Sequence, residues 1–261
     1  MKLKWYGTAT LLIEQDGTQL LFDPFIPINE KLFKPSLEEL ASASKILITH
    51  GHFDHIADVP AIIKNSGGRN TVYCTATPRK SLISKGVEEG HIHEISPGDV
   101  FDFGPFNLRV LKGKHIVFNK GLLLKTLLSP RILAYWGNFK YMLKENKSYP
   151  EAGETVVFDI SITNKRLLLL GSLNLDDAIE YPKGADLLIL PFQGRSDIST
   201  YAIPIIERLH PKKIFLDHFD DSFPPVSSPV DTSFFVKLMI QIFSDVPVIC
   251  QKASSEWISV C

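Results

Sequence analysis

The segment Thr49-His50-Gly51-His52-Phe53-Asp54-His55 places three imidazoles and a carboxylate within six residues. Groups crowded this closely repel one another on protonation and are costly to desolvate unless a cation holds them. Neutral imidazole and carboxylate are the donors that zinc and similar divalent ions take. A lone histidine would read as a core or surface residue, but this cluster reads as a metal site. The apolar strand Lys45-Ile46-Leu47-Ile48-Thr49 runs straight into it, which puts His50 at a strand's carboxyl end. His50 and His52, two apart on extended backbone, point the same way. Asp54 and His55 fall on the turn into the next helix.

The rest of the chain must supply the frame. Its 261 residues suffice for one large α/β domain with a substantial core. A hydrophobic content of 44% with 22% charged residues excludes wholesale disorder. With 28 basic and 29 acidic residues the net charge is −1. That leaves no global electrostatic reason to bind nucleic acid or an anionic membrane. The longest aliphatic runs, Leu167 to Leu170 and Leu187 to Leu190, fall far short of the roughly 20 residues of a membrane span. Met1 to Tyr6 reads directly into a strand with no signal-peptide stretch. Cys74, Cys250 and Cys261 have no metal-type spacing, which points to a reducing, cytoplasmic setting with the first two in the core.

Short β-type runs at Lys2 to Tyr6, Thr10 to Glu14 and Gln19 to Asp23, with the turn pair Asp16-Gly17, predict antiparallel hairpins. Strands follow at Lys45 to Thr49, Thr71 to Cys74 and up to Leu111, with helices near 36–42, 56–65 and 78–85. The second half repeats this style. It has strands at Thr155 to Ile162, Arg166 to Leu170, Asp186 to Leu190, Lys213 to Asp217 and Glu256 to Val260, and helices at Thr200 to Leu209 and Thr232 to Phe243. Two mixed β-sheets packed face to face with helices outside, a four-layer αββα sandwich in one domain over 1–261, fit this order. An insertion at about 116–150 is rich in Leu and aromatics yet carries Lys120, Lys125, Arg131, Lys140, Lys144 and Lys147 against one acid, Glu145. A lid, a dimer contact, a membrane-surface patch and a helix pair packed on the sheet all suit it.

His-x-His-x-Asp-His after an apolar strand resembles the signature of the metallo-β-lactamase superfamily. Gly7 to Ile13 and Leu20 to Pro24 resemble its ascorbate-6-phosphate lactonase-like branch most. The resemblance implies that His50, His52 and His115 hold a first metal, and that Asp54, His55 and His218 serve a second. The family's bridging Asp after a strand Gly falls here on Ser172 of Gly171-Ser172, a far weaker ligand that leaves the second ion in question. Asp176 or Asp177 would reach back to bridge, or else open a helix as its first turn. Asp23, after a strand, would orient a ligand histidine or serve as an ordinary turn residue. His91 and His93 read as surface alternation, and His210 as a helix end. Lys112, Lys114 and Lys120 flank His115, as solvated lysines or facing an anionic substrate.

The chemistry expected is metal-dependent hydrolysis. A divalent ion, zinc first and manganese second, would make hydroxide available at neutral pH, with Asp54 orienting the water and carrying its proton. A small ester, lactone or phosphoester suits the lactonase-like resemblance, a phosphorylated sugar lactone among them. A phosphodiesterase or phospholipase-type hydrolase of a lipid-like substrate suits the insertion. A non-hydrolytic metal-binding or redox protein on the same scaffold is the reading from another class, and Ser172 keeps it open. No Gly-x-Ser-x-Gly motif supports serine chemistry. No nucleic-acid partner is expected, and self-association through the insertion is open.

Overall fold

The computed structural model describes residues 1–117, 129–150 and 152–259. The first sheet runs β1 (Lys2–Gly7), β2 (Thr10–Gln15), β3 (Thr18–Phe22), β4 (Lys45–Leu47), β5 (Thr71–Cys74), β6 (Ile92–Glu94) in spatial as well as chain order. The second runs β7 (Val100–Asp102), β8 (Asn107–Lys112), β9 (Val156–Ile162), β10 (Lys165–Leu170), β11 (Leu187–Pro191), β12 (Ile214–Asp217), β13 (Val248–Ile249). A last strand, β14 (Ile258–Ser259), returns to the outer edge of β1. Each sheet is antiparallel in its first part and parallel in the rest. β1, β2 and β3 alternate in direction, whereas β3 to β6 run parallel. β7 to β10 alternate, and β10 to β13 run parallel. Asp16 and Gly17, both at positive φ, form the two-residue turn between β2 and β3, a geometry whose twist matches the flanking strands.

Strand periodicity distributes the core. Leu11, Ile13, Leu20 and Phe22 face Phe158, Leu167, Leu169, Leu187 and Ile189 between the sheets. Their neighbours Leu12, Leu21 and Ile46 turn outward onto helices. Those helices are α1 (Leu37–Ala41), α2 (Phe53–Ile56), α3 (Val59–Asn65), α4 (Ala76–Ser84) and, after the short α5 (Arg131–Ala134), which buries no side chain, α6 (Trp136–Ser148). Leu168, Leu170, Leu188 and Leu190 turn the other way, onto α7 (Ile198–Tyr201), α8 (Ile203–Leu209) and α9 (Ser233–Ile242). Burial on both faces is why these strands read as unbroken apolar runs instead of alternating ones. Truncating one such leucine to alanine costs about 2–5 kcal/mol. No helix among the described residues is long and apolar enough to cross a membrane.

Some boundaries differ from the sequence reading. The helix expected over 56–65 is two, because Pro60 favours the first turn of a new helix and sits there in α3. Pro204 does the same in α8, splitting the helix expected over 200–209. The closing strand shrinks to two residues. No helix opens at Asp176 or Asp177; a turn stands there, with Ala178 N–H donating to Asp176 Oδ1. Within the insertion the described part is the helix pair α5 and α6, whereas Lys120, Lys125 and the Leu122 to Leu128 stretch lie outside the described residues.

Candidate metal centre

Because β3 and β4 pair in parallel, their carboxyl ends lie side by side, and the centre begins there. Asp23 follows β3 at φ 44°, fully buried, and its carboxylate turns toward Thr49. Thr49 N–H donates to Asp23 Oδ1 at 2.7 Å and the Thr49 hydroxyl to Oδ2 at 2.6 Å. His55 Nδ1 lies 2.9 Å from the same Oδ2. With its proton given to Asp23, the Thr49 hydroxyl accepts from His50 Nδ1 at 3.0 Å. His115 Nδ1 donates in the same manner to the Ile116 carbonyl, 2.9 Å away. These partners assign the tautomers. His50, His55 and His115 each keep the proton on Nδ1, and each turns an unprotonated Nε2 inward.

The inward atoms converge in two groups. Those of His50, His52 and His115 lie within 4.8 Å of one another, as do those of Asp54, His55 and His218. His50 Nε2 comes to 3.1 Å from His52 Nδ1, and the His50 and His55 rings, 4.0 Å apart, form the wall between the groups. His218 Nε2 reaches Asp54 Oδ2 at 3.2 Å. Three imidazoles with their protons directed outward, His52 and His218 beside them, and one carboxylate are a donor set that a divalent ion fits.

The charge balance agrees. Burial, reinforced by the neighbouring imidazoles, pushes His50 far below the ordinary histidine range. Burial likewise takes His52 down to about 4 and lowers His115. The first group is therefore neutral imidazole at pH 7. Burial alone would raise Asp54, but His55 and His218 outweigh it and hold the carboxyl below the usual carboxylate range. Burial opposes protonation of His218 too, yet the hydrogen bond it donates to the Asp54 carboxylate wins and raises it. The next residue, Asp217, is pushed up to about 8 by burial, so it stays a neutral acid.

The last candidate ligand is placed by the first hairpin. His218 sits at φ 57° after β12, and its N–H donates to the Thr8 carbonyl at 2.8 Å. Thr8 N–H donates in return to the Asp220 carboxylate at 3.1 Å. A β-carbon on Gly7 would stand 2.7 Å from Asp220 Oδ2, at a φ of +112° that suits glycine.

A family model described as a Beta-lactamase superfamily domain matches residues 18–212, which include the motif, His115 and Ser172. The chain belongs to the metallo-β-lactamase superfamily. Among curated relatives it is similar to a UPF0173 metal-dependent hydrolase of Listeria welshimeri, 30% identical over 73% of this chain and 76% of that one. It is 35% identical to another of Methylocella silvestris, over 44% of this chain and 48% of that relative, about half its length. Among solved structures it is similar to Igni18, described as a novel metallo hydrolase from Ignicoccus hospitalis. The TM-score is 0.67 at 17% identity, covering 99% of this chain and 98% of that one.

In this metallo-β-lactamase fold the remaining candidates stand as follows. Ser172 is buried and its hydroxyl accepts from Ile116 N–H at 3.0 Å, so it braces the loop that bears His115. Asp176 pairs with Lys112 at 2.7 Å, and Asp177 lies 3.8 Å from Lys114, so neither acid joins either group. Asp23 contacts His55 and, through Thr49, His50. His91 and His93 lie on the far edge of the first sheet, away from both groups. His210 ends α8 in the left-handed conformation. The sequence reading passed over Thr49, whose only signal is its place before His50, and over the pairing of Thr8 with Asp220, which lies 212 residues away. Gly171 precedes Ser172 in the sequence, and its close contact is visible only in the fold. A β-carbon there would lie 2.4 Å from Thr49 Cβ.

Proposed function

We propose that the chain is a metal-dependent hydrolase of a small ester, lactone or phosphoester, in which His50, His52 and His115 hold one divalent ion and Asp54, His55 and His218 a second. One observation carries this reading: two adjacent groups of inward-facing donor atoms, with the imidazole protons tied to Asp23, Thr49 and Ile116 behind them. Zinc, or manganese, suits such donors and when bound would supply an activated water and polarise the oxygen of the bond to be cut. Asp54 is the one carboxylate among the candidate ligands, and it is ionised at neutral pH. It orients water and carries its proton toward the leaving group. Ser172, engaged with Ile116, would add no bridge, so water or Asp54 alone would have to span two ions. A phosphorylated sugar lactone is the narrower substrate we favour. A lipid-like phosphodiester is the second reading, supported by the exposed Leu133 and Trp136 of the insertion. The free thiols of Cys74 and Cys250 support work in a reducing, cytoplasmic setting.

Elemental mass spectrometry on gently purified protein tests the metal, and a panel of esters, lactones and phosphodiesters with zinc or manganese tests the reaction. Metal-dependent turnover that disappears with chelator and in Asp54→Asn, with His52→Ala losing most of its bound ion, is the expected result. Undiminished metal and turnover in His52→Ala would overturn the ligand set. Bound metal with no turnover on any substrate of the panel would favour a non-hydrolytic role.

A further inference from the structure

The α5–α6 pair presents an outward face that nothing in the proposed chemistry uses. α6 packs against α2, which bears Asp54 and His55, and buries Met142 and Glu145 on that side. Glu145 is the only acid in 129–150, and it is held by Lys85 at 3.0 Å. The opposite side exposes Trp136, Lys140, Leu143, Lys144 and Lys147. At 100° per residue these five fall on an arc of about 100° along one side of the helix. Leu133, on α5, is 80% exposed, and Trp136 and Leu143 are each 48% exposed. Lys140 stands 5.4 Å from the Trp136 ring centroid, and Phe139 packs against the same ring. α5 is anchored at its base, where Arg131 reaches Asp221 at 2.7 Å and the Ser227 carbonyl, on the loop that follows His218.

A tryptophan and two leucines interleaved with three lysines, and no exposed carboxylate on either helix, do not suit a neutral protein partner. The apolar side chains must leave water while the ammonium groups meet negative charge. An anionic bilayer surface offers both at once, an acyl boundary for Leu133, Trp136 and Leu143 and headgroup phosphates for the lysines. The other exposed apolar face, Phe234, Ile240 and Ile242 on α9, has a single lysine among them and no such pattern. We infer that the protein docks peripherally on an anionic lipid surface through the Leu133–Trp136–Leu143 face of α5 and α6.

The test is co-sedimentation of the whole protein with vesicles of phosphatidylglycerol and phosphatidylcholine in equal parts, against vesicles of phosphatidylcholine alone. Binding to the first, weakened by salt, with a blue shift of tryptophan emission that Trp136→Ser abolishes, is the expected result. Each lysine near such a surface is worth about fivefold in partitioning, so Lys140→Ser, Lys144→Ser and Lys147→Ser together should lower it roughly a hundredfold. All four side chains are solvent-exposed, so the variants should fold, and circular dichroism verifies it. Failure to sediment with anionic vesicles, or equal sedimentation of the triple variant, overturns the proposal. So does a concentration-dependent dimer that Leu133→Ser with Trp136→Ser dissolves, because the face would then belong to a second copy of the chain.

Discussion

Asp23→Asn separates the relay behind the histidines from the histidines themselves. The carboxylate accepts from three donors, Thr49 N–H, the Thr49 hydroxyl and His55 Nδ1–H. An amide of the same shape has one acceptor oxygen and one NH2. If the oxygen stays on Thr49 N–H, the NH2 faces the hydroxyl and His55. Either the hydroxyl turns its proton onto His50 Nδ1 or His55 moves its own to Nε2, and one inward nitrogen loses its lone pair. If the amide is reversed, the buried Thr49 N–H is left facing another donor. A buried donor left unsatisfied costs about 1–3 kcal/mol, and 1.4 kcal/mol is tenfold in a binding constant. Loss of a partner that orients a metal-ligating imidazole costs about 10–100-fold. We therefore expect zinc affinity to fall by about 10–100-fold with little change in fold. Stripped wild-type and variant proteins titrated against a chromophoric zinc chelator read this directly. Affinity within twofold of wild type, at an unchanged melting temperature, would refute the tautomer assignment and the relay with it.

Two further outcomes follow from packing and burial. Gly171→Ala drives a β-carbon to 2.4 Å from Thr49 Cβ and 2.8 Å from the Val156 carbonyl; it should destabilise by about 1–3 kcal/mol and weaken metal binding, and an unchanged denaturation midpoint would contradict the contact. Asp58 accepts from Ile26 N–H and is pushed up to about 6, mainly by burial. The folded state holds its proton more tightly than the unfolded chain does, so this residue's contribution to stability is lost as pH rises from about 4 to about 6 and stays lost above. Asp58→Asn should therefore gain about 1–3 kcal/mol over wild type at pH 7 but not at pH 4, by urea denaturation; a gain equal at both pH values would exclude this cause.

The sequence by itself determined the frame, and it set out the candidate donors of the loop. Thr49 to His55 is local: a strand ends, two histidines project, a short helix begins, and four of the six candidate donors, His50, His52, Asp54 and His55, sit within six residues. The apolar runs that became β10 and β11 fixed buried strands because a strand covered on both faces has no reason to alternate. What depended on distant backbone was not legible. The meeting of Thr8 with Asp220 and His218 joins the first hairpin to the last candidate ligand across more than two hundred residues. By sequence Asp23 is either a turn residue or a partner of some ligand histidine, and only the parallel pairing of β3 with β4 decides for His55, by bringing the two strand ends abreast. Ser172 and Asp176 had the right spacing from Gly171 to be ligands. The tertiary fold gives the first to Ile116 and the second to Lys112, since a side chain two or six residues past a strand goes where its loop turns, and hydrogen bonds with distant backbone set that turn.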